Sequence, residues 1–405
     1  MATRAVSRYR WTILAAGVVA QASFSAIFFG IPAIAPAIRS DYGLSLTQVG
    51  VVLAALSIGL MAMLLLWGIV ADLVGERLVL ATGLAGCSGA LVATAYTSSF
   101  AGLVAALTAA GALGAGTQTA SGRAVMSWFG PEERGLALGI RQTAVPLGGV
   151  IAATTLPSLV HHVSLRAAFF ALAGGCFVAA LVGAALLRAE TSVADEVHPG
   201  RPLRDPRIWR LSLGSTFYVT TQVSLLGFLV LFLHDVRGVS TTAGAGALAV
   251  TQALGGFARI GAGLWSDRRR QRVVPLLRLG LLLAVSAAVA ALLVGASLWL
   301  LLPALVAAGT LSLSWNGLSF TATAEIAGRT RAGAAIGLQQ SFLALGSIVT
   351  PIAFATIVHA SSWRTGFVVA ALSPLVGYML LRGVRDPVSR VDRSFQTDRP
   401  QSRRP

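Results

Sequence analysis

Residues 139–170 read GIRQTAVPLGGVIAATTLPSLVHHVSLRAAFF. Residues 337–368 read GLQQSFLALGSIVTPIAFATIVHASSWRTGFV. Each stretch contains a run of about 20 mostly apolar residues, the length that crosses a bilayer as a helix. A constant offset of 198 positions aligns Gly139 with Gly337, Gln142 with Gln340, Gly148 with Gly346, His161 with His359 and Arg166 with Arg364. The chain therefore contains an internal duplication of a membrane-spanning unit.

The composition of the whole chain also indicates a membrane protein. Its 405 residues are 55% hydrophobic and only 11% charged, whereas soluble proteins carry about 25% charged residues. The low charge excludes an ordinary soluble enzyme and a disordered chain. Two cysteines are too few for a disulfide-rich secreted scaffold. Because the apolar runs do not alternate like the strands of a membrane barrel, we predict an all-α membrane protein.

Apolar runs between charged or turn-rich breaks predict twelve spanning helices. The predicted spans are 11–38, 45–67, 78–96, 100–127, 135–160, 166–187, 208–233, 241–264, 274–295, 298–324, 333–358 and 364–381. Spans of about 20 residues in this number leave room only for short loops and two tails. We therefore expect no separate soluble domain.

The duplication extends to other spans and predicts two pseudo-symmetric six-helix bundles. GIVAD at 68–72 matches GLWSD at 263–267, so span 2 corresponds to span 8, as span 5 does to span 11. The expected parts are an N-terminal bundle at 1–187, a linker at 188–207, a C-terminal bundle at 208–382 and a tail at 383–405. Repeats of this kind place a substrate site between the halves, which rock to expose it alternately.

The placement of arginine predicts the orientation in the membrane. With both termini inside, 25 of the 31 basic residues fall in inner segments and four fall in outer segments. This positive-inside pattern predicts a multi-pass protein of the cytoplasmic (inner) membrane with both termini in the cytoplasm. Because the arginines recur at helix ends, without a basic face that is interleaved with aromatic residues, we expect contacts with anionic lipids and no nucleic-acid partner.

Four short motifs resemble those of the major facilitator superfamily. They are GIVADLVGER at 68–77, WFGPEERG at 128–135, GLWSDR at 263–268 and WR at 363–364. The resemblance covers nearly the whole chain and implies a twelve-helix transporter with a small-molecule substrate, no enzymatic activity and no cofactor. The arginine that many members carry early in span 4 is missing here, since Leu107, Thr108 and Ala110 occupy that region.

The inner-loop motifs supply a predicted gate. An aspartate at the end of span 2 or span 8 and a basic residue nearby can bridge the two bundles when the inner side closes. The predicted gate residues are Gly68, Asp72, Gly75, Arg77, Arg123, Arg134, Gly263, Asp267 and Arg268. The expected pairs are Asp72 with Arg77, Arg123 or Arg134, and Asp267 with Arg268, Arg329 or Arg331. The alternative is that these charges are solvated and only set the topology.

Arg259 is the sharpest candidate for a substrate-binding residue. It lies eight residues before Asp267, which places it about 12 Å above the inner end of its helix, near the middle of the hydrocarbon core. A charge at this depth marks a functional site or a paired group, and a guanidinium there suits a planar carboxylate. Alternatively, Arg259 snorkels to the inner surface or bonds to carbonyl groups.

The surroundings of Arg259 resemble one branch of the superfamily. The spacing Arg259-x-x-x-Gly263 is similar to span 8 of monocarboxylate and oxalate/formate-type facilitators. That resemblance implies a role for this arginine in binding an organic anion.

Other polar residues inside the spans are predicted to line the same pathway. Arg141 lies about 9 Å deep in span 5 and aligns with the neutral Gln339 in the repeat. The predicted lining residues besides Arg259 are Arg141, Gln142, Gln339, Gln340, Gln21, Tyr218, Gln222 and Asn316, with Gln252 and Trp315 as further possibilities. Such residues can also serve only to hydrogen-bond one helix to another.

The distribution of acidic residues narrows the substrate class. All 15 Asp and Glu fall at span ends, in loops or in tails. We therefore predict no carboxylate within the membrane that could bind a cationic substrate. We predict a monomeric secondary transporter of a small organic anion, a carboxylate, without metal or cofactor. Two alternatives stay open, namely an exporter of a neutral or amphiphilic compound and a non-transporting membrane sensor. The coupling is also open between a proton carried by a histidine or the substrate, exchange, and uniport.

Overall fold

The structure is a computed structural model that describes residues 8–129, 133–187, 205–328 and 332–384. Twelve helical segments of this part are long and apolar enough to cross a membrane. They are Tyr9–Ala33, Leu46–Ala71, Glu76–Tyr96, Phe100–Val125, Gly139–His162, Leu165–Leu186, Pro206–Arg237, Thr241–Arg269, Val273–Gly295, Leu298–Ala327, Ala334–Ala360 and Trp363–Leu381. Each overlaps one predicted span, so the prediction of an all-α protein with twelve spans is confirmed.

Fifteen α-helices build these spans in the described residues. The N-terminal half contains α1 (Tyr9–Ala33), α2 (Ala35–Asp41), α3 (Leu46–Val74), α4 (Glu76–Tyr96), α5 (Phe100–Gly114), α6 (Gly116–Trp128), α7 (Arg134–His162) and α8 (Leu165–Leu186). The C-terminal half contains α9 (Pro206–Arg237), α10 (Thr241–Arg269), α11 (Val273–Leu292), α12 (Leu298–Ser314), α13 (Asn316–Ala327), α14 (Ala332–Ala360) and α15 (Trp363–Leu381).

The start of α9 differs slightly from the expected bundle limit at 208. The Asp205 side chain accepts a hydrogen bond from the backbone N–H of Arg207, and Pro206 occupies the first turn. Capping by aspartate and a proline at the first helical position both favour a helix start, so α9 begins two residues early. The residue limits of the two bundles stay a prediction, since 188–204 and 385–405 lie outside the described residues.

We call the end of the molecule that carries Asp41 and Arg237 the outer end and the opposite one the inner end, following the orientation predicted from arginine placement. Five of the helices that begin at the outer end have a serine N-cap whose side chain accepts a backbone hydrogen bond. These caps are Ser45, Ser99, Ser164, Ser240 and Ser362. Because each cap satisfies an otherwise unpaired N–H, the outer turns can be short.

Two spans are interrupted near their middle. Helices α5 and α6 meet at Ala115, and α12 and α13 meet at Trp315. These breaks occupy similar places in the two repeats. The carbonyl groups in the last turn of a helix lack intrahelical donors, so a break inside a span supplies hydrogen-bond acceptors within the membrane.

The two halves are packed together mainly at the outer end. Helix α3 packs on α14, and α7 packs on α10. One apolar cluster includes Val52 of the N-terminal half and Leu229 of the C-terminal half. A separate cluster around Leu276 and Leu318 fills the inner part of the C-terminal half. The halves therefore share an apolar core at the outer end, whereas the inner part of the C-terminal half has its own core.

Close packing inside the N-terminal half depends on glycine. A Cβ added at Gly111 of α5 would lie 2.8 Å from the carbonyl carbon and 2.9 Å from the Cα of Leu56 in α3. Backbone atoms cannot give way as a flexible side chain can, so α5 and α3 can approach this closely only without a side chain at 111. A Cβ added at Gly174 of α8 would meet nothing within 4 Å.

We expect Gly111→Val to destabilise the protein and Gly174→Val to leave its stability nearly unchanged. Overpacking costs about 1–3 kcal/mol, and contact with backbone puts Gly111→Val at the upper end of that range. The measurement is the apparent melting temperature of each purified variant in detergent. An equal decrease in both variants would contradict the role assigned to Gly111.

Candidate functional site

Arg259 reaches between the two halves of the molecule. It lies in the middle third of α10 with a half-buried side chain. Its Nε donates to the carbonyl of Leu313 in α12 at 3.3 Å, and its Nη1 donates to the carbonyl of Gln142 in α7 at 3.4 Å. The two acceptors belong to opposite halves. Of the alternatives to substrate binding, bonding to carbonyl groups describes this geometry and snorkelling to the inner surface does not.

The charge of Arg259 has no acidic partner in the described part of the chain. The ion pairs among these residues involve neither Arg259 nor Arg141. Arginine stays protonated in proteins, so two positive charges lie inside the bundle with neutral oxygen partners. This arrangement produces a positive potential between the helices that favours an anion.

Two of the predicted amides lie beside Arg259. Asn316 at the start of α13 donates from Nδ2 to Oε1 of Gln222 in α9 at 3.1 Å. The same Nδ2 lies 3.5 Å from the carbonyl oxygen of Leu313, the oxygen that also accepts from Arg259. Leu313 is in the last turn of α12, where carbonyl groups are left open. Arg259 and Asn316 thus share one carbonyl, and Asn316 connects this group to Gln222.

Arg141 belongs to a second polar cluster, inside the N-terminal half. Its side chain is buried, and Ser121 Oγ of α6 accepts from its Nε at 3.0 Å and its Nη2 at 2.8 Å. Nη2 also donates to Oε1 of Gln21 in α1 at 2.8 Å and to the carbonyl of Gln118 at 3.4 Å. Arg141 therefore ties three spans of this half together.

The C-terminal half has a neutral counterpart of this cluster. Gln339 is fully buried and donates from Nε2 to Ser319 Oγ at 2.5 Å and to Ser215 Oγ at 3.4 Å. Ser121 and Ser319 are related by the same offset of 198 as Arg141 and Gln339. The two serines are not among the predicted site residues, although their shared offset is a sequence signal that points to them. Oε1 of Gln339 has no partner among the described residues.

The remaining predicted lining residues have different surroundings. Tyr218 is fully buried in the C-terminal half, where its Oη donates to the carbonyl of Leu276 at 3.4 Å and its ring meets Trp315 edge to face at 5.6 Å. It is not brought to Arg259 but packs the inner core. Gln340 is half-buried on α14. Gln252 of α10 is fully buried against Gly149 of α7, and its amide has no partner among the described residues.

At the inner end of the C-terminal half, Asp267 does not pair with Arg268, one of its three expected partners. It pairs with Arg272, whose Nε also lies 2.9 Å from Oε1 of Glu325. The backbone turns at Arg270, which has a φ of 49°, and this turn brings the chain back beside the last turn of α10. The expected pair with Arg268 is therefore replaced by Arg272, a residue that the motif had not singled out. Arg329 and Arg331 lie outside the described residues.

Burial and two acidic neighbours have opposite effects on the pKa of Arg272. Partial burial disfavours its charge and would lower its pKa. The hydrogen bonds and charges of Asp267 and Glu325 outweigh burial and raise the pKa of this guanidinium above its ordinary value. This ion pair network connects α10, α11 and α13 within one half.

The inner end of the N-terminal half contains a similar network. Nε of Arg123 in α6 lies 3.2 Å from Oε1 of Glu76 at the start of α4, and Nε of Arg77 donates to the carbonyl of Ala184 in α8 at 2.6 Å. These contacts also stay within one half. The side chains of Asp72 and Arg134 are outside the part of the chain that the structure describes.

The other predicted gate residues differ in their steric requirements. Gly75 has a φ of 82° and joins α3 to α4, a conformation that favours glycine. A Cβ added at Gly68 or Gly263 would meet nothing within 4 Å. Arg268 is exposed at the end of α10. Among Gly68, Gly75, Gly263 and Arg268, only Gly75 has a backbone conformation that favours its residue type.

Contacts across the halves close the outer end. Arg39 of α2 forms an ion pair with Asp235 of α9, and Nδ1 of His234 lies 2.9 Å from Asp235. Deeper in the membrane, a Cβ added at Gly50 of α3 would lie 2.5 Å from the carbonyl oxygen of Pro351 in α14. The arrangement as a whole is a bundle closed at the outer end, with a guanidinium between its halves.

Comparisons with known proteins agree with this architecture. The family model described as Major Facilitator Superfamily matches residues 13–342. An uncharacterized MFS-type transporter of Mycobacterium tuberculosis is 29% identical over 382 residues, which are 92% of this chain and 84% of the relative. A hexuronate transporter of Bacillus subtilis is 29% identical over 136 residues, which are 33% of this chain and 32% of that protein.

Solved structures share the fold across nearly the whole chain. A bacterial homologue of the human lysosomal transporter Spinster, in an inward-facing and occupied conformation, has a TM-score of 0.78 at 19% identity, covering 98% of this chain and 100% of the other. The nucleoside transporter NupG has a TM-score of 0.73 at 12% identity, covering 93% of this chain and 100% of the other. At these identities the likeness establishes the shared fold.

We expect Arg39→Asp to favour separation of the outer ends, because it places a second carboxylate beside Asp235. The double variant Arg39→Asp with Asp235→Arg should restore the wild-type state, since it re-forms the ion pair. An exposed pair contributes about 0.2–1 kcal/mol, so the ratio of closed to open molecules should change about 1.4- to fivefold.

The measurement is electron paramagnetic resonance between spin labels at Val163→Cys and Val236→Cys, which lie at the outer ends of α7 and α9. The native Cys87 and Cys176 are replaced by alanine in this background. If the single and double variants have the same distance distribution, the pair does not hold the outer ends together.

Proposed function

The chain belongs to the major facilitator superfamily, and from this membership we propose that it is a secondary active transporter that moves a small organic anion, a carboxylate, by alternating access. The observation that carries the substrate class is the guanidinium of Arg259. It lies between the two halves, and its hydrogen-bond partners among the described residues are neutral carbonyl oxygens.

These carbonyl groups satisfy Arg259 only in part. A guanidinium has five N–H donors, and the two bonds to Leu313 and Gln142 are long, at 3.3 and 3.4 Å. A carboxylate accepts two parallel hydrogen bonds from arginine and also supplies the compensating charge. An anion at this position would therefore stabilise the half-buried guanidinium more than the carbonyl groups do.

The neighbouring polar groups suit the same ligand. Asn316 donates to Oε1 of Gln222 and lies beside the Leu313 carbonyl, so the Nε2 amide of Gln222 can donate to oxygen atoms of a substrate. Arg141 adds a second positive charge from within the N-terminal half, where Ser121 and Gln21 hold it in place. Arg259 is the proposed anchor, and these groups assist it.

The distribution of contacts supports alternating access. The outer ends are joined by the Arg39–Asp235 ion pair, whereas the ion pairs given for Arg272 and Arg123 at the inner end of the described chain each join helices of the same half. We assign this state to a transporter closed toward the outside. The proposed location is the cytoplasmic membrane with both termini in the cytoplasm, and a coupling proton would travel on the substrate or a histidine.

The name of one relative agrees with an anionic substrate. Hexuronates are sugar carboxylates, and the hexuronate transporter of Bacillus subtilis matches a third of this chain. Hexuronates therefore belong among the compounds to be tested.

A second candidate function is the export of a neutral or amphiphilic compound. The same two carbonyl bonds favour it, since they show that Arg259 can be held without an anion. In that case Arg259 would only connect α10 to α12 and α7. The two functions differ in what the loss of Arg259 does to transport.

We expect Arg259→Ala to reduce kcat/KM for carboxylate uptake at least a hundredfold, because it removes two charge-assisted hydrogen bonds of about 1.5–3 kcal/mol each. The assay is uptake of radiolabelled monocarboxylates, dicarboxylates and hexuronates into liposomes that contain the purified protein. Arg259→Lys should retain part of the activity, since it keeps the charge and loses the bidentate geometry.

Arg269→Ala is the matched control, because it removes an exposed guanidinium from the end of the same helix. It should transport like the wild type. Unchanged kinetics in Arg259→Ala would exclude Arg259 as the anchor. Saturable transport of neutral compounds alone would support the second candidate.

A further inference from the structure

The carbonyl of Gln142 lacks its usual intrahelical donor because the donor position is a proline. Pro146 lies inside α7, four residues after Gln142. In an α-helix each N–H donates to the carbonyl four residues earlier, and proline has no N–H. Position 146 therefore provides no donor to the Gln142 carbonyl. The hydrogen bond from Nη1 of Arg259 ends on this carbonyl, at 3.4 Å.

The proline also lies directly against the helix that carries Arg259. A Cβ added at Gly256 of α10 would lie 3.2 Å from Cγ of Pro146. Gly256 is one turn before Arg259 in α10. The ring of Pro146, the open carbonyl and the guanidinium thus follow one another along the seam between α7 and α10.

The equivalent interface in the repeat, between α3 and α14, lacks both the arginine and the proline. The offset of 198 aligns Pro146 with Ala344 of α14, and the offset of 195 between the two aspartate motifs aligns Arg259 with Leu64 of α3. Helices α3 and α14 form the other seam between the halves. The arginine and the proline therefore occur together on one seam and are both replaced by apolar residues on the other.

We propose that Pro146 is a positioning residue for Arg259, and that the Gln142 carbonyl is the resting acceptor of the guanidinium when no anion is bound. This inference rests on the proposed function, because it takes Arg259 as the residue that binds the anion. A carboxylate then competes with the carbonyl for the same N–H groups. Anion binding withdraws the guanidinium from α7 and removes one contact that joins the halves, so that binding biases the conformational equilibrium.

Pro146→Ala tests the proposal, because it returns an N–H to position 146 and lets the helix satisfy the Gln142 carbonyl. This carbonyl becomes a weaker competitor for the guanidinium, so the KM for the transported carboxylate should fall about three- to tenfold, with no rise in kcat. Pro146→Ser restores the same N–H and serves if the alanine variant does not fold. A rise in KM, or no change in it, would overturn the proposal.

Pro157→Ala is the matched control. Pro157 lies in the same helix and likewise withholds a donor from the carbonyl four residues earlier, that of Ala153. No arginine of the described residues donates to Ala153. Pro157→Ala should leave KM unchanged, and an equal decrease in both variants would show a general effect of straightening α7 instead of the proposed one.

A second measurement does not depend on knowing the substrate. In substrate-free protein with spin labels at Val163→Cys and Val236→Cys, Pro146→Ala should increase the fraction of molecules with separated outer ends. It should have no such effect when Arg259→Ala is already present, because the guanidinium that uses the carbonyl is gone. Equal effects with and without Arg259 would assign Pro146 a purely structural role and overturn the proposal.

The two readouts separate failure of the inference from failure of the proposed function. If the wild type transports no carboxylate but the effect of Pro146→Ala still depends on Arg259, the resting contact stands and the substrate class is wrong. If carboxylates are transported through Arg259 but the effects of Pro146→Ala are independent of it, the function stands and the positioning role is wrong.

Discussion

An arginine side chain inside a membrane-spanning helix bundle must donate hydrogen bonds to oxygen atoms of the protein. The loss of hydration is costly, and arginine stays protonated. The two intramembrane arginines meet this constraint differently. Arg141 is surrounded by a serine hydroxyl, a glutamine amide and a carbonyl of its own half. Arg259 relies on backbone carbonyls of two helices that belong to opposite halves. Its surroundings therefore change whenever the halves move, whereas those of Arg141 need not.

The duplication explains why the two halves have polar clusters at related positions. Divergence between the two copies explains why one cluster contains a charged arginine and the other a neutral glutamine. The hydroxyls of Ser121 and Ser319 occupy related places, and each holds the residue that follows by 20 positions. In one copy that residue is a cation, and in the other it is the amide of Gln339. A symmetric scaffold thus contains an asymmetric electrostatic field, with the positive charge of Arg141 in the N-terminal half and that of Arg259 in the C-terminal half.

Sequence reasoning succeeded where the bilayer imposes the pattern. The number and approximate limits of the spans follow from apolar length. Sequence reasoning does not reach contacts that depend on local backbone geometry. The pairing of Asp267 with Arg272 requires the left-handed turn at Arg270, and the partners of Arg259 are main-chain oxygens that carry no signature of their own. Tyr218 stays a predicted lining residue, and in this structure its ring packs on Trp315 within the C-terminal half.

The apolar core shared by the two halves at the outer end has a thermodynamic consequence. Parting the outer ends brings water to surfaces around Val52 and Leu229 that are now dry. Hydration of apolar surface carries a positive heat capacity change, so the open form gains heat capacity relative to the closed one. The free energy difference between the closed and open forms is therefore a curved function of temperature, and the enthalpy of opening changes with temperature.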